Sequence, residues 1–599
     1  MRLGLTLDGQ DALSVRHFSV SEAMSAPFHA SVVGTAPGDD LDLEGLVGAP
    51  ASFQIGEGEG ARTWTGVASD VEQLASSGDG ASTYRVTVKP TLALLAHRAQ
   101  SRVFTNLSVP EIVEKVFGEM GVRVQHEVDR AAHPKHEYRV QHGESDLDFA
   151  HRLLEEAGIA YRFDADEHGA VGDAVTLTDR AHRREPKATL RYVEQPGASA
   201  TGAYVTRVAV SRAMGPGAVS VRDHDFQRQK GVKLRGAAAA TGAEAKLAHS
   251  VFHVGAIVRH GVDKADDLAK RALEGARARL KTIAFEATTT DLAPGTVFAL
   301  ADHPRADLAS SQHLLALELG IDGTSSGHLA VRGVAAPASV PHRPEAKTAR
   351  PHVAGLESGT VVGPKGEPIH TDEHGRVKVQ LAWDQDGPGD DTSSCWVRVS
   401  QAWAGAGFGM VSVPRVGQEV LVGFLGGDPD QPVVVGRVYN AENAHPYKLP
   451  ENKTKTGLRT ASVPDAGDGA FNEIAFEDKQ GSELVSLHAE RDLEIVVKGS
   501  ETERTGADRT LSVGKNHAVT VGAVDSTLVG KRHTVAVSGA SGAATRIDMS
   551  DRQIVCTTGQ ATVTFDGPDL TLEAQGNVTI VAHDGDVVIQ GGPNVKINC

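Results

Sequence analysis

Cysteine is almost missing from this chain. Only Cys395, Cys556 and Cys599 occur in 599 residues, without C-x-x-C spacing or an even framework. The pattern excludes a disulfide-stapled scaffold and fits folding in a reducing compartment. Aromatic residues are scarce, at 5%, which suits small, turn-heavy β units better than large helical cores. No apolar run approaches the length that crosses a bilayer. The opening stretch MRLGLTLDGQDALSVRHF lacks the apolar segment of a secretory leader, so synthesis and folding in the cytoplasm are expected. A basic footprint is lacking too. The formal net charge of -17 is spread along the chain, which argues against nucleic-acid binding and serves solubility. No H-E-x-x-H helix and no nucleophile-elbow serine are read from the sequence.

Glycine, by contrast, is plentiful at 65 residues, and part of it keeps time. Gly506, Gly514, Gly522 and Gly530 are eight residues apart. Val513, Val521, Val529 and Val537 keep the same step, with Leu511, Val519 and Val535 two places ahead. β-Branched residues alternating at period two do not make helices, so each octad predicts one short strand and a turn opened by glycine at positive φ. Eight residues cannot wrap around their own interior, since single-chain coils use repeats of about 20 residues or more. The inward Leu511, Val513, Val519, Val521, Val529, Val535 and Val537 must therefore be covered by other copies of the chain. Closed symmetry removes free strand edges, and the expectation is an intertwined, homo-oligomeric β-prism. Later apolar pairs, Leu570/Leu572, Val578/Ile580, Val587/Ile589 and Val595/Ile597, continue at eight or nine residues, ending at Cys599.

Length alone predicts about three to five domains. Residues 1–347 read as mainly β with three helices. One follows Ser108 and Pro110 and stops at Gly121. Another follows Ser145 and Asp148 and stops at Gly158, and a third covers 263–282 with Leu268, Ala272, Leu273, Ala276 and Leu280 inward. VAAPASVPHRPEAKTARPHVAG reads as a linker. From 348 to 445, GRVKVQLAW, CWVRVSQAW, GMVSVPRV, QEVLVGFLGG and PVVVGRVYN supply five strands of a small OB-type barrel. Residues 446–599 form the needle.

The stretches VVGPKGEPIHTDEHGRVKVQLAWDQDG, SSCWVRVSQAWAGAGFGMVSVPRVGQEVLVGFLGGDPDQPVVVGRVYNAENAHPYKLP and NEIAFEDKQGSELVSLHAERD closely resemble the VgrG family of type VI secretion spike-tip proteins. Upstream, ESDLDFAHRLLEEAGIAYRF and VRDHDF are similar to that family's hub region. The resemblance implies a hub of two related barrels, an OB domain and a triple-stranded β-helix, assembled as a homotrimer. It further implies a hexameric Hcp-like tube ring at the hub, a PAAR-type cap at the tip formed by Val595, Ile597 and Cys599, baseplate components, and effectors or their adaptors as partners. Cytoplasmic assembly, export by the contractile machine and transient passage through a target membrane follow from it. An envelope-degrading enzyme on a spike scaffold, or the equivalent spike of a phage tail or extracellular particle, are the alternatives.

Asp384/Asp386, Asp390/Asp391 and Asp428/Asp430 lie in Gly/Pro-rich turns and read as solvated loop acids rather than a hydrolytic dyad. Asp223 and Asp225 share one side of a strand while His224 points to the other, so a structural role is expected. His517 and His533 read as an outward face beside Lys515, Lys531 and Arg532. Cys395 reads as a packed small residue. Trp383, Trp396 and Trp403 are assigned to core packing and contacts between chains. No catalytic residue, metal or cofactor is expected.

Overall fold

Alternation in the sequence becomes strands with one dry side. Along Ala81–Lys89, Ser82, Tyr84, Val86 and Val88 are buried while Thr83 and Arg85 are half-buried. This computed structural model describes residues 2–592 except 12, 39–40, 58–60, 77–79, 166–169, 197–201, 229–233, 241–242, 253–256, 258–263, 464–468, 539–543 and 591. Two compact units result, Met1–Leu493 and Glu494–Cys599.

The first unit begins with six strands in the order Leu3–Leu7, Pro50–Ile55, Arg62–Ser76, Ala81–Lys89, His29–Pro37 and Ser14–Ala23. Phe53 packs inside them between Phe18 and Trp64, with ring centroids 5.1 and 6.0 Å away respectively. A further six strands close on themselves. Val297–Ala301 pairs with both Ala188–Tyr192 and His313–Thr324, completing a barrel through Tyr204–Arg212, Lys281–Ala287 and Leu329–Pro337. The two halves are fused rather than separate, because His313–Thr324 also pairs with Ser14–Ala23 inside one sixteen-stranded sheet. At the seam, buried Glu22 accepts hydrogen bonds from Trp64 Nε1 (2.9 Å) and Arg62 Nη2 (2.7 Å), and Arg62 Nη1 donates to Leu292 O at 2.7 Å. Glu22 and Arg62 thus satisfy each other, which buried charge requires.

Helices sit where their caps lie. Val109–Gly118 follows Ser108, whose backbone N–H donates to the Glu111 carboxylate at 2.8 Å, and Asp146–Ala157 follows Ser145, whose Oγ accepts from Asp148 N at 3.0 Å. Gly158 ends the second with φ 68°, a left-handed stop. The third helix, Ala265–Arg277, is shorter than its sequence pattern. It buries Ala265, Ala269 and Leu273 and leaves Ala272 out of the buried core. Small residues face inward because the strand Leu234–Ala239 approaches closely. A Cβ on Gly236 would stand 1.9 Å from Ala265 O.

The OB-type barrel has the strand order Lys378–Leu381, Glu357–Val362, Glu419–Phe424, Pro432–Arg437, Arg398–Val399, and a bridge between Val377 and Val397 joins its ends. Val361, Val379, Val420, Val422 and Val434 fill it. Two sequence expectations change here. GMVSVPRV forms no strand beyond its first residue, and Glu357–Val362 takes its place. The expected linker is also strapped down: Lys347 N and Thr348 N donate to Glu155 at 2.9 and 2.8 Å, and Arg350 reaches Glu156 at 2.5 Å.

Candidate functional site

Hydrolysis would need paired acidic residues in a cleft. Asp390 sits in a turn, accepting from Thr392 N at 2.8 Å. Asp428, Asp430 and Asp384, in contrast, are buried, so their reading as solvated loop acids is corrected. Asp430 Oδ2 accepts from Arg139 Nη1 and Oδ1 from Val140 N, both at 2.8 Å, and Arg139 also faces Glu156 at 3.1 Å. Burial alone would lower the Arg139 pKa, but facing Glu156 and Asp430 outweigh it and raise it. Arg152 completes the cluster, donating to Val140 O at 3.1 Å and to Glu144 at 2.5 Å. This is a joint between the hub strand His136–Ser145 and the OB turn at 425–431, not a reactive dyad. Burial likewise pushes the Asp384 pKa up, against the hydrogen bonding of Gln380.

The VRDHDF stretch makes a second joint. Asp223 accepts from His224 N (2.7 Å) and Ile257 N (2.8 Å), and Asp225 accepts from Gln227 N at 2.9 Å. Phe226, next in the chain, meets the guanidinium carbons of Arg398 at 4.5 Å and Arg376 at 5.5 Å, both from the OB barrel. Trp383 packs against the OB core and, edge-on, against His142 at 5.5 Å. Trp396 lies beside His370, with Lys378 over its ring. Trp403 differs: it is 64% exposed and meets the ring of Phe408, itself 60% exposed. Burial raises the Cys395 thiol to about 12, leaving it protonated and inert.

One serine motif escaped the sequence reading. Gly323-Thr324-Ser325-Ser326-Gly327 spells G-x-S-x-G, but it forms the turn between the antiparallel strands His313–Thr324 and Leu329–Pro337. A nucleophile elbow needs a strand-to-helix turn, so this one is excluded. A surface cleft of about 590 Å³ across these strands and their neighbours Tyr204–Arg212 and Lys281–Ala287 is lined by Arg207, Glu286, Glu318 and Arg332, an alternation of charge without a nucleophile and base in contact. Among the described residues no three His, Cys, Asp or Glu side chains gather as a metal site would need.

The tail presents a different chemistry. From 489 to 531 no residue lies on a strand, yet the chain bends at 498–499, 506–507, 514–515, 522–523 and 530–531, an eight-residue step. Gly506, Gly514, Gly522 and Gly530 occupy these bends without positive φ, and a Cβ on any of them would meet open space. The expected left-handed requirement is therefore corrected; nothing within one chain demands glycine there. Leu511, Val513, Val519, Val521 and Val529 are all solvent-exposed, the three valines in step at 45–48% and the other two at 65–66%.

Beyond 531 the chain pairs with itself. Arg532–Ser538, Ala544–Ser550, Gln553–Thr557, Ala561–Asp566 and Asp569–Ala574 form an antiparallel five-stranded meander. Val535 and Val537 thus lie on a strand bonded within the same chain, and His533, expected outward on the polar side, shares their face opposite Met549. Val595, Ile597 and Cys599 lie outside the described residues.

Three family models cover most of this architecture. The phage tail baseplate hub model matches residues 21–321, the type VI secretion system/phage-baseplate injector OB domain matches 358–439, and the bacteriophage T4 gp5 C-terminal trimerisation domain matches 456–566. Type VI secretion system spike protein VgrG1a of Pseudomonas aeruginosa is 31% identical over 96% of this chain and 92% of its own length. VgrG1b of the same organism is 33% identical over 84% of this chain and 69% of its own. Among solved structures, the E. coli c3393 protein, a type VI secretion component similar to T4 tail proteins gp27 and gp5, superposes with a TM-score of 0.53 at 21% identity. It covers 72% of this chain and 99% of its own. The lidded Francisella PdpA-VgrG complex gives 0.53 at 9% identity, covering 81% and 80%. At these identities the two structures speak to fold alone.

Proposed function

Because the chain belongs to the VgrG family of type VI secretion spike proteins, we propose that it works mechanically, as a trimeric needle that punctures a target envelope and carries effectors. The observation that carries this reading is the tail. Val and Leu recur every eight residues without cover, and the backbone bends at the same step. Extended backbone left without ladder partners, beside uncovered apolar side chains, is completed when sister chains wind around it. A shaft built that way is stiff because its hydrogen bonds and its dry interior both run along the axis.

The hub supports the same reading at the other end of the sequence. Each chain holds two fused six-stranded halves. Three chains would present six comparable units to a hexameric Hcp-like ring, adapting six-fold to three-fold symmetry. A PAAR-type cap at the tip, baseplate contacts at the hub and effector or adaptor docking complete the proposed assembly. In the Francisella complex a VgrG protein holds a further protein, PdpA, and this supports docking of another chain on such a spike. Contraction of the machine then carries the protein out of the cytoplasm. The joints at Arg139–Asp430 and Phe226–Arg398 are suited to passing axial load from hub to OB barrel.

Static light scattering of the full chain tests the assembly, with a trimer expected. A contraction-deficient sheath mutant of the host should retain the protein inside cells, whereas an intact sheath should release it to the supernatant. Equal release from both would remove the mechanical reading.

A further inference from the structure

One small sheet of the hub is only partly roofed by its helix. Its strands run in the order Leu234–Ala239, Ala218–Asp223, Ala248–Phe252. The helix Ala265–Arg277 closes a core over the first two, with Ala265, Ala269 and Leu273 against Leu234, Val219 and Val221. Register puts His249 level with Val219 and Val251 level with Val221, so the same face continues onto the third strand. There the cover is incomplete: His249 is exposed and Val251 half-buried. A cleft of about 380 Å³ results, walled by Val219, Val251, Leu268, Ala272 and Ala276 and bounded by Pro344 of the strap that Glu155 holds. That volume lies within the ~300–1,000 Å³ of small-molecule sites, which are mostly apolar with a few fixed polar groups.

The fixed polar group here is Arg271, which also lines the cleft. Its guanidinium reaches only backbone carbonyls, Ala157 O at 3.5 Å and Ala132 O at 3.4 Å, both at the long limit of a hydrogen bond. Two such bonds leave most of its N–H donors available. Arg62, Arg139, Arg152, Arg343 and Arg350, by contrast, each meet a carboxylate. Burial and the like charge of Arg343 lower the Arg271 pKa, the direction expected of a cation short of a counter-charge. The carboxylates of the cleft are engaged elsewhere. Glu155 accepts from Lys347 N, Thr348 N and Thr348 Oγ1, Glu156 pairs with Arg139 and Arg350, and Glu345 is exposed to water. We propose that this cleft binds a small amphiphilic monocarboxylate, with its apolar body between Val251 and Leu268 and its head on Arg271. One uncompensated cation calls for one negative charge, and apolar walls reject a strongly hydrated dianion. The guanidinium fork matches a carboxylate in both shape and charge.

The test is calorimetric titration of sodium decanoate, below its micelle-forming concentration, into the full chain. Saturable binding at a single site per chain is expected. Hexanoate should bind about ten-fold more weakly or worse, since each buried methylene contributes roughly four-fold. Arg271→Met keeps an apolar stem without the charge and should weaken decanoate by about ten-fold or more. Ala272→Trp, at an exposed position of the helix, fills the cleft and should abolish binding. Thermal melts that match the parent protein establish that each variant is folded. Decylamine, with the same body and the opposite charge, should not compete. Absence of saturable decanoate binding overturns the proposal, as does undiminished binding in either folded variant or equal binding of decylamine. If acetyl-Leu-Val-Asp amide binds where decanoate does not, the cleft serves a protein chain and the small-ligand assignment falls.

Discussion

The body and the tail of this chain use apolar residues in opposite ways. In Met1–Leu493, Phe18, Phe53, Trp64, Phe149 and Phe298 are fully buried, and even charged groups such as Arg139 and Glu22 find partners within the same chain. In Glu494–Cys599, Leu511, Val519, Phe565 and Leu572 are all exposed. The difference teaches that hydrophobic pattern states what must be buried, not by whom. In the barrels of the body the pattern is satisfied by distant parts of one chain, whereas its last sheet, 455–488, already leaves Leu458, Ile474 and Phe476 exposed. In the tail the pattern is left open, so its stability depends on sister copies and on protein concentration.

Breaking one side of that comparison should leave the other standing. Val521→Asp would bury three carboxylates together in the wound segment. It is expected to abolish the trimer in light scattering while the melting transition of the body stays in place. Asp430→Ala makes the reverse cut. It strips the buried Arg139 of its closest carboxylate and should destabilise the body by about 3–5 kcal/mol, read as a lower denaturation midpoint, with the trimer retained.

Acid should act on the body as well. Burial lowers His151 and His342 to about 4 each. Unfolded histidine titrates near 6.5, so between these values the unfolded chain binds protons that the folded chain refuses. Stability is therefore present above about pH 6.5 and is lost as pH falls toward 4, by up to about 3 kcal/mol for each histidine. Thermal melts from pH 7 to 4.5 should show the decline, and His151→Phe should reduce its slope. The smallest effect expected is Ser108→Ala, which removes a cap from the helix Val109–Gly118 and should cost about 1 kcal/mol in the same melts.

Local chemistry was the readable part of the sequence. Ser108, Ser145 and Gly158 announced helix ends because capping is decided within four residues, and the octads stood out because repetition needs no tertiary knowledge. What hid was non-local. Asp430 looks like one more turn acid until Arg139, 291 positions earlier, is seen against it. The Pro-rich stretch around Lys347 has the composition of a linker, and only the folded helix shows that Glu155 holds it. Val535 and Val537 obey the eight-residue step, yet their alternation serves a hairpin equally well, and within one chain they stand opposite Ile547 and Thr545. The GMVSVPRV segment alternates like a strand, but the edges that could pair with it are taken by Glu357–Val362 and Pro432–Arg437.

Hydrogen–deuterium exchange on the intact protein at residues 506–530 addresses the open tail most directly. Within one chain these amides have no ladder to protect them, so slow exchange can come only from sister copies. Protection of at least a hundred-fold over the unfolded peptide rate is expected, and lost in Val521→Asp. Exchange at the unfolded rate in the intact protein would contradict the account.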